Sequence, residues 1–146
     1  MLNCHSTKDY VSHYIGIEDK KVSLLKELVD ETKAKIVLVS SWKEWWFKDD
    51  QFKIHQDDLA NYLDEKLAKQ GLTIFNKTRP INRGRSILKF IEDLEDDGVS
   101  VNNFVILDDE MFDYKETKLT KNLVQTSFDQ NGLERKHIRK ALGMLC

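Results

Sequence analysis

The sequence predicts a three-layer α/β fold with a mainly parallel sheet. Short apolar runs that are typical of strands alternate with longer segments of helical periodicity along the chain. Residues 104–107 form a continuous apolar run, Phe-Val-Ile-Leu, which is typical of a parallel strand covered on both faces. The chain of 146 residues has the size of one domain, so we expect a single domain over 1–146.

The predicted elements follow this alternation. Residues 1–17 show no sustained period and are interpreted as an irregular loop or hairpin, so the α/β core spans 18–146. A helix from residue 18 carries apolar residues on one stripe, and the β-branched run 34–39 is a buried strand. The later elements are a helix over 59–67 ended by Gly71, a strand over 72–75, a helix from Arg83 or Gly84 to Gly98, the strand 104–107, a strand over 123–126 and a helix over 133–145.

Composition excludes several classes of protein. Lys and Arg number 23 against 25 Asp and Glu, so the net charge of -2 gives no overall basic field for nucleic acid. No apolar run approaches the roughly 20 residues of a membrane span, and the first residues lack the apolar core of a signal peptide. The cysteines, Cys4 and Cys146, lack metal-ligand spacing and are interpreted as free thiols. We therefore expect a cytoplasmic protein with no membrane partner.

Two adjacent acids, Asp108 and Asp109, come directly after the apolar strand 104–107. The carboxyl ends of strands are where ligands bind in open α/β sheets, and adjacent carboxylates repel each other unless a cation or proton offsets the charge. Asp113 lies one turn later. The pattern predicts a divalent metal site, and the alternative is an acidic pair that caps a helix or is solvated in a loop.

Two further segments carry groups that bind anions. Ser40 comes after the strand 34–39, where its hydroxyl either donates to an anion or caps a helix. The loop before the helix at residue 83 contains Lys77, Arg79, Arg83 and Arg85, the densest positive cluster in the sequence. A basic loop that leads into a helix N-terminus is suited to a phosphate, and a solvated loop is the alternative.

An aromatic cluster lies just beyond the strand 34–39. It contains Trp42, Trp45, Trp46 and Phe47. These rings either stack on nucleic-acid bases or pack in the core, and core packing is the more frequent use of Trp.

The carboxyl ends of these strands meet in one predicted site. It contains Ser40, Arg83, Asp108, Asp109 and Asp113. A hydroxyl and a guanidinium hold phosphoryl oxygens, while Mg²⁺ is usually held by one or two carboxylates together with substrate phosphate. The pattern therefore favours phosphoryl chemistry.

On these residues the chain resembles the haloacid dehalogenase (HAD) superfamily of phosphohydrolases. KIVLVSS provides the hydroxyl of Ser40, NRGRSIL provides the cation of Arg83, and VILDDEMFD provides a DDxxxD form of the acidic motif. The segments KIVLVSSWK, the helix that begins with Arg83-Gly84, FVILDDE and the closing NGL helix together resemble the small HAD subfamily linked to bacterial RNA-repair proteins. The resemblance runs from Leu2 to the C-terminus.

The resemblance implies a Rossmann-like HAD fold and a Mg²⁺-dependent phosphatase. Ser40 and Arg83 would be the catalytic, phosphate-binding residues. Asp109 would be the principal metal ligand, with Asp108 and Asp113 in support. The expected ligand is a phosphorylated small molecule or a nucleic-acid end.

The family's reactive motif has no counterpart in this sequence. In HAD proteins the nucleophilic Asp lies in a DxDG motif at the end of a first, central strand, directly before a segment like Leu2–Asn3. Only Met1 precedes that segment here, and the sequence contains no DxD triplet. The resemblance therefore implies a fold without its first strand and a chain without a nucleophile, or a truncated reading of a longer protein.

That first strand would lie between the strands 34–39 and 104–107. Each large apolar side chain that it buries is worth roughly 1.5–3 kcal/mol, so the gap must be filled. We expect one of three ways of filling the gap. The strands 34–39 and 104–107 pair directly, residues 1–17 insert between them, or two copies of the chain exchange a strand and form a homodimer.

The sequence leaves two functions open. The first is a phosphatase-like HAD domain that is catalytically incomplete as given. The alternative is a non-catalytic phosphate- or RNA-binding module that uses the aromatic cluster and the basic loop 77–85. Whether the chain is an enzyme is left open by its residues.

Overall fold

The computed structural model describes residues 19–39, 43–126 and 133–145. The predictions for residues 1–17, Ser40 and Trp42 lie outside this part of the chain. The elements are α1 (Asp19–Thr32), β1 (Ile36–Leu38), α2 (Asp50–Lys53), α3 (Asp58–Ala68), β2 (Ile74–Lys77), α4 (Arg83–Asp96), β3 (Ile106–Asp108), β4 (Leu123–Gln125) and α5 (Arg135–Leu145). A 3₁₀ turn at Thr120–Asn122 leads into β4. Among the described helices, none is long and apolar enough to cross a membrane.

The strands form two separate parallel pairs. β1 pairs with β2, with Ile36 opposite Ile74, and β3 pairs with β4, with Asp108 opposite Gln125. The result is a mixed α/β domain with short parallel strands, as the sequence predicts. Within the described residues β1 and β3 do not pair with each other, so direct pairing across the expected gap is not observed.

Most predicted elements lie within two residues of their expected bounds. β2 is shifted by two residues toward the C-terminus relative to the predicted strand 72–75. It extends to Lys77 because Asn76 and Lys77 pair with β1, although neither residue is apolar. The one-turn helix α2 lies between the predicted strand 34–39 and the predicted helix 59–67, where the sequence indicates no helix or strand. Its short length leaves no apolar period in the sequence to detect.

The apolar side chains form two clusters on opposite sides of β3. The first joins α1, α3 and α5 to Leu107, and the second joins Ile87 of α4 to Ile106 and Tyr114. Successive residues of a strand point to opposite faces, so Ile106 and Leu107 enter different clusters. This confirms that β3 is covered on both faces, as its continuous apolar run indicates.

The aromatic cluster divides between core and surface. Trp46 is 2% exposed and belongs to the first cluster, whereas Trp45 is 53% exposed. The Trp46 Nε1–H donates to Asp64 Oδ1 at 2.9 Å, and Lys53 Nζ lies 4.5 Å from the centre of a Trp46 ring. The prediction that these rings pack in the core is therefore confirmed for Trp46, whereas the Trp45 ring lies at the surface.

Candidate phosphate and metal site

The candidate site contains polar residues from the carboxyl ends of two strands and from the start of the helix α4. Asp108 is the last residue of β3, Lys77 is the last residue of β2, and Arg83 is the first residue of α4. The carboxyl ends of parallel strands lie at one edge, where ligands bind in α/β folds. Arg83 and Asp108 are in direct contact, so the start of α4 lies against the end of β3.

Asp108 is the buried centre of the site, with a side chain 1% exposed. Arg83 Nη1 donates to Oδ1 at 2.9 Å and to Oδ2 at 2.7 Å. The Tyr114 hydroxyl donates to Oδ2 at 2.7 Å, and the Asp109 amide donates to Oδ1 at 2.9 Å. A buried carboxylate needs such donors and a cationic partner, and these contacts hold the Asp108 side chain in one orientation. Burial and the Asp108 carboxylate raise the pKa of Tyr114, which keeps its hydroxyl protonated.

Asp109 is half-buried beside Asp108. Burial raises the pKa of its carboxyl group, and the neighbouring Asp108 carboxylate raises it further. Both effects disfavour the charged form, and a bound cation would relieve both. This is the electrostatic situation that the sequence predicts for the acidic pair.

Asp113 contacts the start of α4. Its Oδ1 accepts a hydrogen bond from the Gly84 amide at 2.7 Å, and its Oδ2 accepts one from the Arg85 amide at 3.2 Å. The first amides of a helix have no partner within the helix, and a carboxylate there also interacts favourably with the helix dipole. Asn82, the residue before α4, makes no side-chain capping bond. Asp113 therefore caps α4 from the turn after β3 and positions Arg83 beside Asp108.

Gly84 allows the start of α4 to pack closely against Thr117. A Cβ at this position would overlap Thr117 Oγ1 and lie 3.1 Å from Thr117 Cγ2. We expect Gly84→Ala to lower the free energy of unfolding by about 1–3 kcal/mol through overpacking. Thr117→Ala deletes both Thr117 atoms and leaves only the Asp113 Oδ1 contact at 3.2 Å, so the double variant should be more stable than Gly84→Ala alone. Urea unfolding of the four proteins tests this, and a double variant that shows no recovery would contradict the steric explanation.

Two lysines lie at the same edge: Lys77, which the sequence places in the basic loop, and Lys43, for which the sequence predicts no role. Lys43 Nζ donates to Thr78 Oγ1 and to the Arg79 carbonyl, both at 2.8 Å. Lys77 Nζ donates to the Lys43 carbonyl at 2.8 Å. Burial, followed by the charges of Arg83 and Lys77, lowers the pKa of Lys43 to about 8. The only signal in the sequence is that Lys43 lies four residues beyond the strand 34–39.

The donor set for a metal is small. Among the described residues, no group of three or more His, Cys, Asp or Glu side chains converges on one point. Asp108 and Asp109 are adjacent, whereas both oxygens of Asp113 accept amide hydrogens. One or two carboxylates fit Mg²⁺, which usually keeps several waters and binds substrate phosphate.

An exposed aromatic surface lies near the lysines. The rings of Trp45, Phe47 and Phe52 form a contiguous set, with centroids 6.3 Å and 6.1 Å apart in that order. Lys77 Nζ lies 4.9 Å from the centre of the Phe47 ring. The surface therefore combines exposed rings with a cation that belongs to the site.

Comparison with known protein families identifies the family of the chain. Residues 3–138 match the model of a family described as the HAD domain in Swiss Army Knife RNA repair proteins. No curated protein and no solved structure matches the chain.

Proposed function

Because the chain belongs to the family of HAD domains in Swiss Army Knife RNA repair proteins, we propose that it is a phosphatase-like domain that binds a phosphorylated ligand together with Mg²⁺. The family membership confirms the resemblance on which the sequence interpretation rests. The contact between Arg83 and Asp108 carries the proposal, because it brings an anion-binding group and the acidic pair to one edge.

Arg83 is the proposed phosphate-binding residue. Its hydrogen bonds within the described residues use Nη1, which leaves the other guanidinium donors for phosphoryl oxygens. Phe112 covers one face, with Arg83 Cζ 3.8 Å from the ring centre, and this contact fixes the plane of the guanidinium. Lys43 supplies a second cation, and Ser40 supplies a hydroxyl in the sequence-based proposal.

The acidic pair is the proposed Mg²⁺ site. Asp109 would be the principal ligand and Asp108 the supporting one, while Asp113 acts on the site by capping α4. A bound Mg²⁺ supplies charge neutralisation for phosphoryl oxygens. In this arrangement the residues of the chain bind and orient the phosphate.

We further propose that this chain is catalytically incomplete. The sequence contains no Asp-x-Asp triplet, and the family's reaction needs an aspartate nucleophile. Hydrolysis of an aryl phosphate with Mg²⁺ should therefore be undetectable for this chain and present in a version extended by a strand that ends in DxDG. Equal rates from the two proteins would contradict the incomplete site.

Binding tests the proposed site without requiring catalysis. We expect a short RNA with a 5′-phosphate to bind more tightly than the same RNA with a 5′-hydroxyl when Mg²⁺ is present. Arg83→Gln should remove the difference. Arg79→Gln is the matched control, because Arg79 forms an exposed pair with Asp93 and should keep the preference. Equal affinity of the native protein for the two RNAs would overturn the phosphate site.

Lys43 makes phosphate binding depend on pH. With its pKa at about 8, Lys43 is a cation at pH 7 and mostly neutral at pH 9, whereas a phosphate monoester is largely dianionic throughout this range. We expect affinity for the 5′-phosphate to fall by several-fold between pH 7 and pH 9, in proportion to the lost charge. Lys43→Arg keeps the charge at both pH values and should reduce the dependence. Calorimetry at three pH values measures it, and an unchanged slope in Lys43→Arg would exclude Lys43 as the cause.

The exposed rings favour a second candidate function, single-stranded RNA binding. Base stacking on an aromatic side chain is worth roughly 1–3 kcal/mol per base, and Trp45 offers an exposed face. Anisotropy with an unphosphorylated oligonucleotide should show salt-sensitive binding that Trp45→Ala weakens. Ile54→Ala is the control, because Ile54 is apolar and 85% exposed but has no ring. Equal losses in both variants would count against stacking.

A further inference from the structure

The turn after β3 holds an aromatic residue in a backbone conformation that suits glycine. Phe112 has a φ of 43°, in the left-handed region that residues with a side chain rarely adopt. For a bulky residue this conformation is strained, and such residues persist where the surrounding structure maintains them, most often at ligand-binding and catalytic sites. Phe112 lies between Asp109 and Asp113 of the candidate site, so its ring is a candidate for a role in ligand binding.

The inner face of the Phe112 ring is covered. Arg83 Cζ lies 3.8 Å from the ring centre, a distance that only a stacked, face-on contact allows. The Tyr114 ring contacts Phe112 at a steep angle, with centroids 6.3 Å apart and planes inclined at 81°. Arg83 and Tyr114 both donate to the Asp108 carboxylate, so they lie on the same side of the Phe112 ring.

The outer face of the Phe112 ring is open to solvent. Phe112 is 43% exposed, whereas Tyr114 is fully buried. Because the inner face lies against Arg83, this exposed area belongs to the outer face. Within the part of the chain that the structure describes, the ring contacts of Phe112 are those with Arg83 and Tyr114. The outer face is therefore a flat aromatic surface next to the candidate phosphate site, and it is available for stacking.

The spacing between this face and Arg83 fits one nucleotide. The guanidinium donors that Asp108 does not occupy lie in the guanidinium plane, where a phosphate would bind. A base stacked on the outer face would lie about 7–8 Å from that plane, because each of the two contacts separates neighbouring groups by roughly 3.5–4 Å. In a nucleoside monophosphate a single ribose joins the base to the phosphate across a gap of this order.

We propose that Phe112 is a specificity-determining residue that stacks the base of a nucleoside 5′-monophosphate while Arg83 binds its phosphate. The inference rests on the proposed phosphate site and deepens it, because it narrows the ligand from any phosphorylated molecule to one with a base next to the phosphate. Every base has a flat π-face, so the stacking favours nucleotides without selecting one base. The exposed aromatic surface at Trp45 is a separate set of rings and has no part in this contact.

Two ligands isolate the contribution of the base. Adenosine 5′-monophosphate and ribose 5-phosphate share the sugar and the phosphate, and only the first has a base. We expect the full chain, with Mg²⁺ present, to bind adenosine 5′-monophosphate about 5- to 100-fold more tightly, which is the range expected for stacking of one base on one aromatic side chain. Calorimetry measures both affinities, and their ratio reports the contribution of the base.

Substitutions of Phe112 test whether its ring provides this ratio. Phe112→Leu keeps an apolar side chain without a ring, so the two ligands should bind with nearly equal affinity. Phe112→Tyr keeps the ring and should keep the ratio. Leu88→Ala is the control, because Leu88 is an exposed apolar residue of α4 without a ring. If Phe112 only held Arg83 in place, loss of the ring would weaken both ligands equally and leave the ratio unchanged.

The outcomes separate this inference from the proposed phosphate site. Equal affinity of the native protein for the two ligands would overturn the inference and leave the phosphate site standing. A Phe112→Leu variant that keeps the ratio would overturn it as well, and so would a Trp45→Leu variant that abolishes the ratio, because the base would then stack on the exposed aromatic surface. Binding of neither ligand would overturn the phosphate site and this inference together.

Discussion

We expect Arg83→Ala to lower the free energy of unfolding by about 3–5 kcal/mol, because it leaves the buried Asp108 carboxylate without its cation. The Tyr114 hydroxyl and the Asp109 amide would still donate to Asp108, but neither carries a positive charge. Urea unfolding followed by tryptophan fluorescence measures the change. Arg79→Ala is the control, since its pair with Asp93 is exposed and should contribute about 0–1 kcal/mol. Equal losses in the two variants would show that the Arg83–Asp108 pair has no special role.

The double variant Arg83→Leu/Asp108→Leu separates folding from phosphate binding. Replacing both members of a buried ion pair with apolar residues is often neutral, so most of the stability lost in Arg83→Ala should return. The preference for a 5′-phosphate should not return, because the guanidinium and the carboxylate are both absent. A stable double variant that keeps the preference would remove these two residues from the proposed site.

Trp46→Ala should be comparably destabilising, with a loss of about 3–5 kcal/mol. The substitution empties a fully packed volume in the first core cluster and removes the Nε1–H donor of Asp64. Trp45→Ala, one residue away and exposed, should change stability by less than about 0.5 kcal/mol. Thermal and urea unfolding of both variants checks the contrast.

The adjacent tryptophans also give opposite expectations for RNA. Trp45→Ala should weaken oligonucleotide binding without unfolding the protein. Trp46→Phe removes the Nε1–H donor and part of the buried ring, so it should lower the stability of the protein. Because it does not change the exposed rings, it should retain RNA binding. A result in which Trp46→Phe weakens RNA binding more than Trp45→Ala would contradict the exposed-ring surface.

The sequence predicts the elements that have a strong local pattern. The helices α1, α3, α4 and α5 have an apolar stripe, and β3 has a continuous apolar run, so their positions can be predicted from periodicity. β2 is displaced by two residues, because its pairing with β1 extends over Asn76 and Lys77. Pairing with a neighbouring strand is a property of the fold, and local composition does not encode it.

The candidate site likewise contains residues that a local sequence pattern predicts and residues whose contacts depend on the fold. Arg83, Asp108 and Asp109 are predicted from the rule that ligand-binding groups lie at the ends of strands or the starts of helices. The contributions of Tyr114 and Lys43 depend on which distant residues they contact, and no spacing in the sequence indicates those contacts. The roles of Ser40, Arg83 and the acidic residues in binding and catalysis stay predictions until the binding experiments are done.

The cap that Asp113 provides links the turn after β3 to the first residues of α4. One side chain in the turn after β3 anchors the first amides of α4, and Arg83 is the residue that starts this helix. A shift of this turn would therefore move the guanidinium as well, so we expect that a metal bound at Asp109 and a phosphate bound at Arg83, the two proposed sites, would influence each other's affinity.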